Sequence, residues 1–378
     1  MNHTLFRYIL KNPLIKIAVA FNLTDFFLDL YWSGKKKKYW DGISGTGLIP
    51  RPSSIWLEGT MRCNLNCCMC HQRERRKITK TELSLDEIKS IVDQAQQYSI
   101  DLIEMTGGEL FIRSDIIDIL KYIDGKKIYT KLNTNGTLIT PKHIAELKQL
   151  SFFESLAFSI DGPEQVHNEI RGNPHTFQKA VSAFREMGKT KFLKNIAFVV
   201  MPENSQYIED MFKLARDLKA DRLQFMPEMF APQNAIDESK KALNMRDVDD
   251  IFMEIKDRPE ESAYVNTMKK AIKSIYRLRR KYRLFAVIYP KIAYKIPDQF
   301  LKGNYSKRLV CKNFNTLVIA VNGDVHICPF INKKIGNIKE QSIAEIWNDE
   351  KMVSLRKTIL KSPTLLPICQ TCCSVEAL

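Results

Sequence analysis

The sequence predicts an α/β protein built on a parallel sheet, with a helical N-terminal extension and a small C-terminal region of hairpin and helix. Three observations carry this. Apolar runs of strand length alternate with helical periodicity for about six units across residues 54–228. Two alternating strands flank Asn322-Gly323, a strong hairpin signal. The first 50 residues are dense in aromatic and aliphatic side chains.

The elements follow in order. "SIWLEGT" (54–60) reads as a strand running into a cysteine-rich loop. "SLDEIKSIVDQAQQY" (84–98) opens with a Ser cap and an acidic first turn, then shows helical periodicity. "IDLIEM" (100–105) is strand-like, "SDIIDILKYI" (114–123) a capped helix, and "KIYTKLNT" (127–134) a strand. "PKHIAELKQL" (141–150) carries Pro in its first turn, as helices allow. The strand "SLAFSI", the helix "TFQKAVSAFREMG", the strand "NIAFVVM", the helix "SQYIEDMFKLARDLKA" and the strand "RLQFMPE" complete the alternation.

The chain has 378 residues, enough for two or three domains. No apolar run is long enough to span a bilayer, and no repeat or low-complexity tract appears. The formal net charge is +15. That suggests an acidic partner or, equally, a solvated basic surface. The nine cysteines are clustered: Cys63, Cys67, Cys68 and Cys70, then Cys311, Cys328, Cys369, Cys372 and Cys373. The N-terminus lacks the small-residue cleavage site of a secreted chain. Clustered thiols in a reducing, cytoplasmic compartment point to metal ligation rather than disulfides.

Cys63, Cys67 and Cys70 stand as C-x3-C-x2-C. Zinc normally takes four ligands, and no partner pair lies nearby. Three thiolates leave one iron of a four-iron cluster open to a substrate or cofactor. At the C-terminus, the hairpin brings Cys311 and Cys328 together, and Cys369 and Cys372 add a C-x2-C pair. On spacing alone, that set suits zinc or iron–sulfur equally. Cys373 could replace Cys372.

"CNLNCCMC" resembles the cluster loop of the radical S-adenosylmethionine enzymes. The resemblance implies a partial (β/α)6 barrel. It also implies a [4Fe-4S] cluster on Cys63, Cys67 and Cys70, with S-adenosyl-L-methionine on the open iron. That cofactor is cleaved reductively to a 5′-deoxyadenosyl radical, which abstracts hydrogen from a substrate. Cys68 falls at the family's variable position and is expected to be a small packed residue. "TGGE" (106–109) matches the family's glycine motif after the second strand. Its Gly107 and Gly108 would let backbone approach the cofactor, and Glu109 would accept from the cofactor ammonium. "SIDGPEQVHNEIRG" (159–172) resembles the segment after strand four. It implies Ser159 and Asp161 near the ribose and Arg171 near the cofactor carboxylate. Asn133 and Asn135 are further candidates on that face. C-x11-G-x4-C with the late C-x2-C resembles the twitch domain, the short form of the SPASM domain. This implies an auxiliary [4Fe-4S] cluster on Cys311, Cys328, Cys369 and Cys372.

The resulting division is an amphipathic extension at 1–50, a radical SAM core at 51–231, a basic helical linker at 232–305 and the auxiliary domain at 306–378. The expected activity is an oxidoreductase that passes the substrate electron to the auxiliary cluster. A peptide or protein maturase is the alternative. A non-catalytic, metal-stabilised basic binding protein is the alternative from another class. Expected partners are a low-potential electron donor such as flavodoxin or ferredoxin and a small-molecule or peptide substrate of anionic character. Nucleic acid is not expected. The aromatic extension and the lysines at 35–38 suggest peripheral membrane contact, against the plainer reading that the extension packs on the barrel.

Overall fold

The computed structural model describes residues 39–78, 81–246, 250–255 and 261–378. Six parallel strands form the centre, placed side by side in chain order: β1 (Ser54–Thr60), β2 (Leu102–Gly107), β3 (Tyr129–Thr134), β4 (Phe153–Ser159), β5 (Leu193–Val200) and β6 (Arg222–Pro227). Helices connect them. α1 (Arg73–Ile78) and α2 (Leu85–Gln97) lie between β1 and β2, and α3 (Ile116–Gly125) and α4 (Pro141–Gln149) each follow one strand. α5 (Glu164–Arg171) and α6 (Thr176–Glu186) follow β4, and α7 (Ile208–Asp217) follows β5.

Strand alternation sorts the side chains. Ile55, Leu57, Leu132, Leu156 and Phe158 are buried in the core, at 2% exposure or less. The alternate positions Trp56, Lys131 and Asn133 are half-buried or exposed. One face of the sheet is thus apolar and covered by helices, and the other carries polar side chains, several of them buried, Glu58, Ser155 and Asn195 among them.

The sheet continues past this core on both sides. At the β6 edge, β7 (Ala286–Ile288) pairs in parallel, Ala286 opposite Leu223. At the β1 edge, β9 (Thr316–Ile319) pairs in parallel, Ser54 opposite Thr316, and carries β10 (Asp324–His326) and β11 (Gly336–Asn337) antiparallel beyond it. The ten strands make one sheet. The hairpin predicted at Asn322-Gly323 is therefore an extension of the central sheet. Separately, β8 (Leu309–Cys311) pairs antiparallel with β12 (Val375–Ala377), Cys311 opposite Val375.

The segment read as a helical linker contains α8 (Gln233–Ala242), α9 (Glu261–Tyr282), α10 (Lys291–Lys295) and α11 (Pro297–Lys302), besides the unforeseen β7. α12 (Ile343–Trp347) and α13 (Glu350–Lys361) precede the last cysteines.

The first 38 residues, and with them the membrane-contact expectation and its lysine cluster, lie outside the described residues. Residues 39–50 pack on the C-terminal region, where packing on the barrel was expected. Trp40 meets Phe314, Asp41 pairs with Arg308 at 2.6 Å, and Trp347 Nε1 donates to the Ile49 carbonyl at 2.8 Å. Among the described residues no helix is long and apolar enough to cross a membrane.

Candidate functional site

The cysteine loop leaves the C-terminal end of β1, the end at which barrel chemistry is built. Its backbone is fixed from three sides. The Gly108 amide donates to the Thr60 carbonyl at 2.7 Å and the Glu109 amide to the Arg62 carbonyl at 2.9 Å. The Cys68 amide donates to the Ile170 carbonyl, at the end of α5, at 3.0 Å. Asn135 Nδ2 donates to Asn64 Oδ1 at 3.0 Å, and Arg76 donates to the Leu65 carbonyl at 2.9 Å.

Cys67 is buried and Cys63 and Cys70 are half-buried. Cys67 lies within electrostatic reach of Cys70, and Cys63 within reach of Cys67. Burial raises the Cys63 and Cys67 thiols; nearby Arg76 and Arg171, respectively, oppose it. Cys68 is exposed, so the expectation of a packed residue is corrected. The turn that carries Cys67 inward directs its neighbour outward.

The glycines approach protein backbone closely. A Cβ on Gly107 would lie 2.0 Å from the Thr60 carbonyl oxygen, and one on Gly108 2.1 Å from that of Arg62. Their role in this structure is to seat TGGE against the cysteine loop. Glu109 is fully buried and accepts three bonds from its own chain: Thr134 Oγ1 at 2.8 Å, Asn135 N at 2.6 Å and Phe111 N at 3.2 Å. It ties the turns after β2 and β3 together. Burial raises its carboxyl, against the pull of these donors. Asn135 belongs to the assembly; Asn133 is exposed and takes no part in it.

Asp161 and Arg171 are paired with each other. Asp161 is fully buried, and its Oδ2 accepts from Arg171 Nε at 2.7 Å and from Nη2, while Oδ1 accepts from Val199 N at 2.8 Å. Both oxygens have partners within the chain. Arg171 aims its remaining Nη1 at Cys67 Sγ, 3.6 Å away. Ser159 is half-buried at the end of β4, on the polar face of the sheet.

Two contributors escaped the sequence reading. Asn204 is buried and donates to the Asp161 and Val199 carbonyls at 3.1 and 2.8 Å. His167 Nδ1 accepts from the Asp161 amide at 3.0 Å, and burial pushes this imidazole down to about 4, so it is neutral. An Asn after a strand and a His mid-helix carry no distinctive sequence signal.

The second constellation gathers Cys311, Cys328, Cys369, Cys372 and Cys373. The Cys311 thiol feels Cys328, Cys369 and Cys373, and Cys372 feels Cys311 and Cys328. Burial pushes Cys311 well up, Cys328 to about 11 and Cys369 to about 12. Such thiols lose their protons to a bound metal group. Backbone amides of Phe330 and Ser374 donate to the sulfurs of Cys328 and Cys372, each at 3.5 Å. The donor set is all sulfur, which suits an iron–sulfur cluster.

Between the two constellations lies a buried junction. Arg75 of α1 forms a two-pronged pair with Glu58 of β1, at 2.6 and 2.7 Å. Next to it His71 and His326 are neutral, each pushed down to about 4 by burial first and by Arg75 second. The His71 ring meets that of Phe330 at 5.1 Å.

Comparison with known proteins agrees with this geometry. The radical SAM superfamily profile matches residues 57–215, and that of an iron–sulfur cluster-binding domain, SPASM, matches 311–373. The chain carries a radical SAM domain followed by a SPASM domain. As a radical SAM enzyme with a SPASM domain, its cofactors are S-adenosyl-L-methionine, the [4Fe-4S] cluster that binds it, and auxiliary [4Fe-4S]. An AdoMet-dependent heme synthase of Methanosarcina barkeri (strain Fusaro / DSM 804) is 26% identical over 80% of this chain and 83% of its own. The subtilosin biosynthesis protein AlbA of Bacillus subtilis (strain 168) is 28% identical over 47% and 40%. In structure, SuiB of Streptococcus suis covers 90% of this radical SAM chain and 80% of its own at TM-score 0.63 and 16% identity, a likeness of fold.

Proposed function

We propose that the chain is a radical SAM oxidoreductase that removes a hydrogen atom from a substrate carbon and draws off the remaining electron through its C-terminal thiol site. The carrying observation is the difference between the two cysteine sets. The N-terminal loop offers Cys63, Cys67 and Cys70, one ligand short of a closed four-iron cluster. The C-terminal set offers Cys311, Cys328, Cys369 and Cys372, a full complement, with Cys373 beside it. Cys372 is taken as the fourth ligand on its C-x2-C spacing from Cys369; Ser374 contacts both thiols, its amide that of Cys372 and its hydroxyl that of Cys373. When bound, the cofactors supply one-electron cleavage of a sulfonium and a radical able to abstract hydrogen.

The chain's own residues position these groups. Gly107, Gly108 and Glu109 hold the cysteine loop against the ends of β2 and β3. Oε2 of Glu109 takes a single bond within the protein and keeps a lone pair for a cofactor ammonium. Ser159 stands on the polar face for the ribose. In this reading 51–231 is the core, 306–378 the auxiliary region, 232–305 a helical wall and 1–50 an extension.

A cavity of about 750 Å³ opens beside Cys63, lined by Arg62, Arg73, Arg76 and Lys77 and by one carboxylate, Glu82, which pairs with Arg62 at 3.2 Å. Its basic rim suits an acidic low-potential carrier such as flavodoxin or ferredoxin, and redox encounters of this kind use small interfaces.

For the substrate, relatives named as a heme synthase and an Fe-coproporphyrin III synthase match about four-fifths of the chain. Two further heme synthases, and relatives named for bacteriocin and mycofactocin maturation, match less than half. A small molecule is the first reading and a peptide the second. The test is product mass after anaerobic reaction with both substrate types. Loss of two hydrogens, or bond formation with that loss, is expected. Unchanged mass, or an added adenosyl group, overturns the oxidative reading.

A further inference from the structure

We infer that Arg171 is a redox-positioning residue. Its guanidinium, aimed by Asp161, donates to the Cys67 sulfur and sets the reduction potential of the cluster on the N-terminal loop. This rests on the assignment of Cys63, Cys67 and Cys70 above.

The geometry leaves Arg171 little freedom. Two of its nitrogens are committed to Asp161, whose other oxygen is fixed by the Val199 amide. The remaining Nη1 lies 3.6 Å from Cys67 Sγ. The end of α5 is itself fastened to the loop. The Ile170 carbonyl accepts from the Cys68 amide at 3.0 Å, and Gly172 turns the chain in a left-handed conformation (φ 67°). A Cβ at Gly172 would come within 3.2 Å of the Asn66 carbonyl, so helix end and loop are in contact. Arg171 and the sulfur therefore move together.

The sign follows from charge. Reduction adds one electron from the external carrier, makes no bond, and leaves the cluster one unit more negative. Hydrogen bonds to cluster sulfurs and nearby charge are levers on potential. A cation donating to a ligand sulfur in a buried, low-dielectric place favours the more negative state. Asp161 offsets part of the cation's charge but directs its N–H. Removing the donor lowers the potential and makes the cluster harder to reduce.

The test uses the full chain, reconstituted anaerobically, in a redox titration followed by electron paramagnetic resonance. Two variants are compared with the parent protein. Arg171→Lys keeps charge without the fork. The paired change Asp161→Asn with Arg171→Gln removes both charges, so that no lone buried carboxylate is left.

At the parent midpoint the reduced-to-oxidised ratio of the first cluster should fall about tenfold in the paired variant, a shift of ~59 mV. Arg171→Lys should fall less. The auxiliary midpoint should stay in place, and iron content should be retained. An unchanged first midpoint at full iron content overturns the inference. So does an unchanged midpoint with weakened S-adenosylmethionine binding, which would make Arg171 a cofactor ligand. Loss of iron in both variants would reduce Arg171 to a structural brace. Failure of the underlying assignment reads differently: replacing all three loop cysteines by Ala would then leave the first cluster's signal intact.

Discussion

Replacing Gly108 with alanine puts a methyl carbon 2.1 Å from the Arg62 carbonyl oxygen and 2.9 Å from that of Met61. Carbon needs about 3.5 Å of separation, so the TGGE turn and the cysteine loop must part by more than an ångström. The bonds at stake are Gly108 N to Thr60 O at 2.7 Å and Glu109 N to Arg62 O at 2.9 Å. Each contributes about 1 kcal/mol, and overpacking adds about 1–3 kcal/mol. The expected loss is about 3–5 kcal/mol, a large part of the usual 5–15 kcal/mol of a folded domain. Denaturant unfolding measures it. Iron analysis supplies the functional half: about eight irons per chain should fall to about four, because the loop is displaced while the C-terminal site is not. Gly125→Ala, where nothing lies within 4 Å, is the control and should be near neutral. A Gly108→Ala protein that keeps its iron and loses under about 1 kcal/mol would refute the argument that these glycines seat the loop.

Three further outcomes are expected. Cys372→Ala should retain some S-adenosylmethionine cleavage yet give no product, while Cys373→Ala keeps both; product assays on the two variants decide which thiol completes the site. Glu58→Gln should cost about 3–5 kcal/mol by stranding the buried Arg75, whereas Glu58→Leu with Arg75→Met should cost far less; paired unfolding curves that give equal losses would count against a buried-charge penalty. Arg62→Glu with Lys77→Glu should slow reduction by an acidic carrier about tenfold or more, flatten its salt dependence and leave dithionite reduction alone; stopped-flow bleaching of the cluster measures this.

The repeating core was legible because strand and helix periods differ and each unit is locally encoded. "SIWLEGT" is β1 from end to end, and Ser84 and Thr140 cap their helices as their side chains dictate. Asp115 shows the limit of such reading. It stands at the N-cap of α3 but makes no cap bond, because its carboxylate is taken by Arg113 at 2.7 and 2.8 Å. The short β7 was hidden because only its distant partner β6 makes it a strand. The thiols were legible as a set, since ligand spacing is local. The partner of Arg171 was not, because it depends on how the end of α5 meets both Asp161 and the loop. Asn204 and Glu58 were invisible for the same reason: their role lies in long-range pairing.

The parallel pairing of β9 with β1 has a consequence for synthesis of the chain. Among the described residues β1 is the first strand in chain order, and one of its two edges is completed only by residues near 316. Until then that edge presents unpaired amides and carbonyls, a template for pairing with another chain. A nascent or truncated product ending before residue 316 therefore carries an open sheet margin, and long-range strand closure of this kind is slow. The same ladder that lets the C-terminal cysteines share one frame with the barrel makes β9 the element that seals β1 against aggregation.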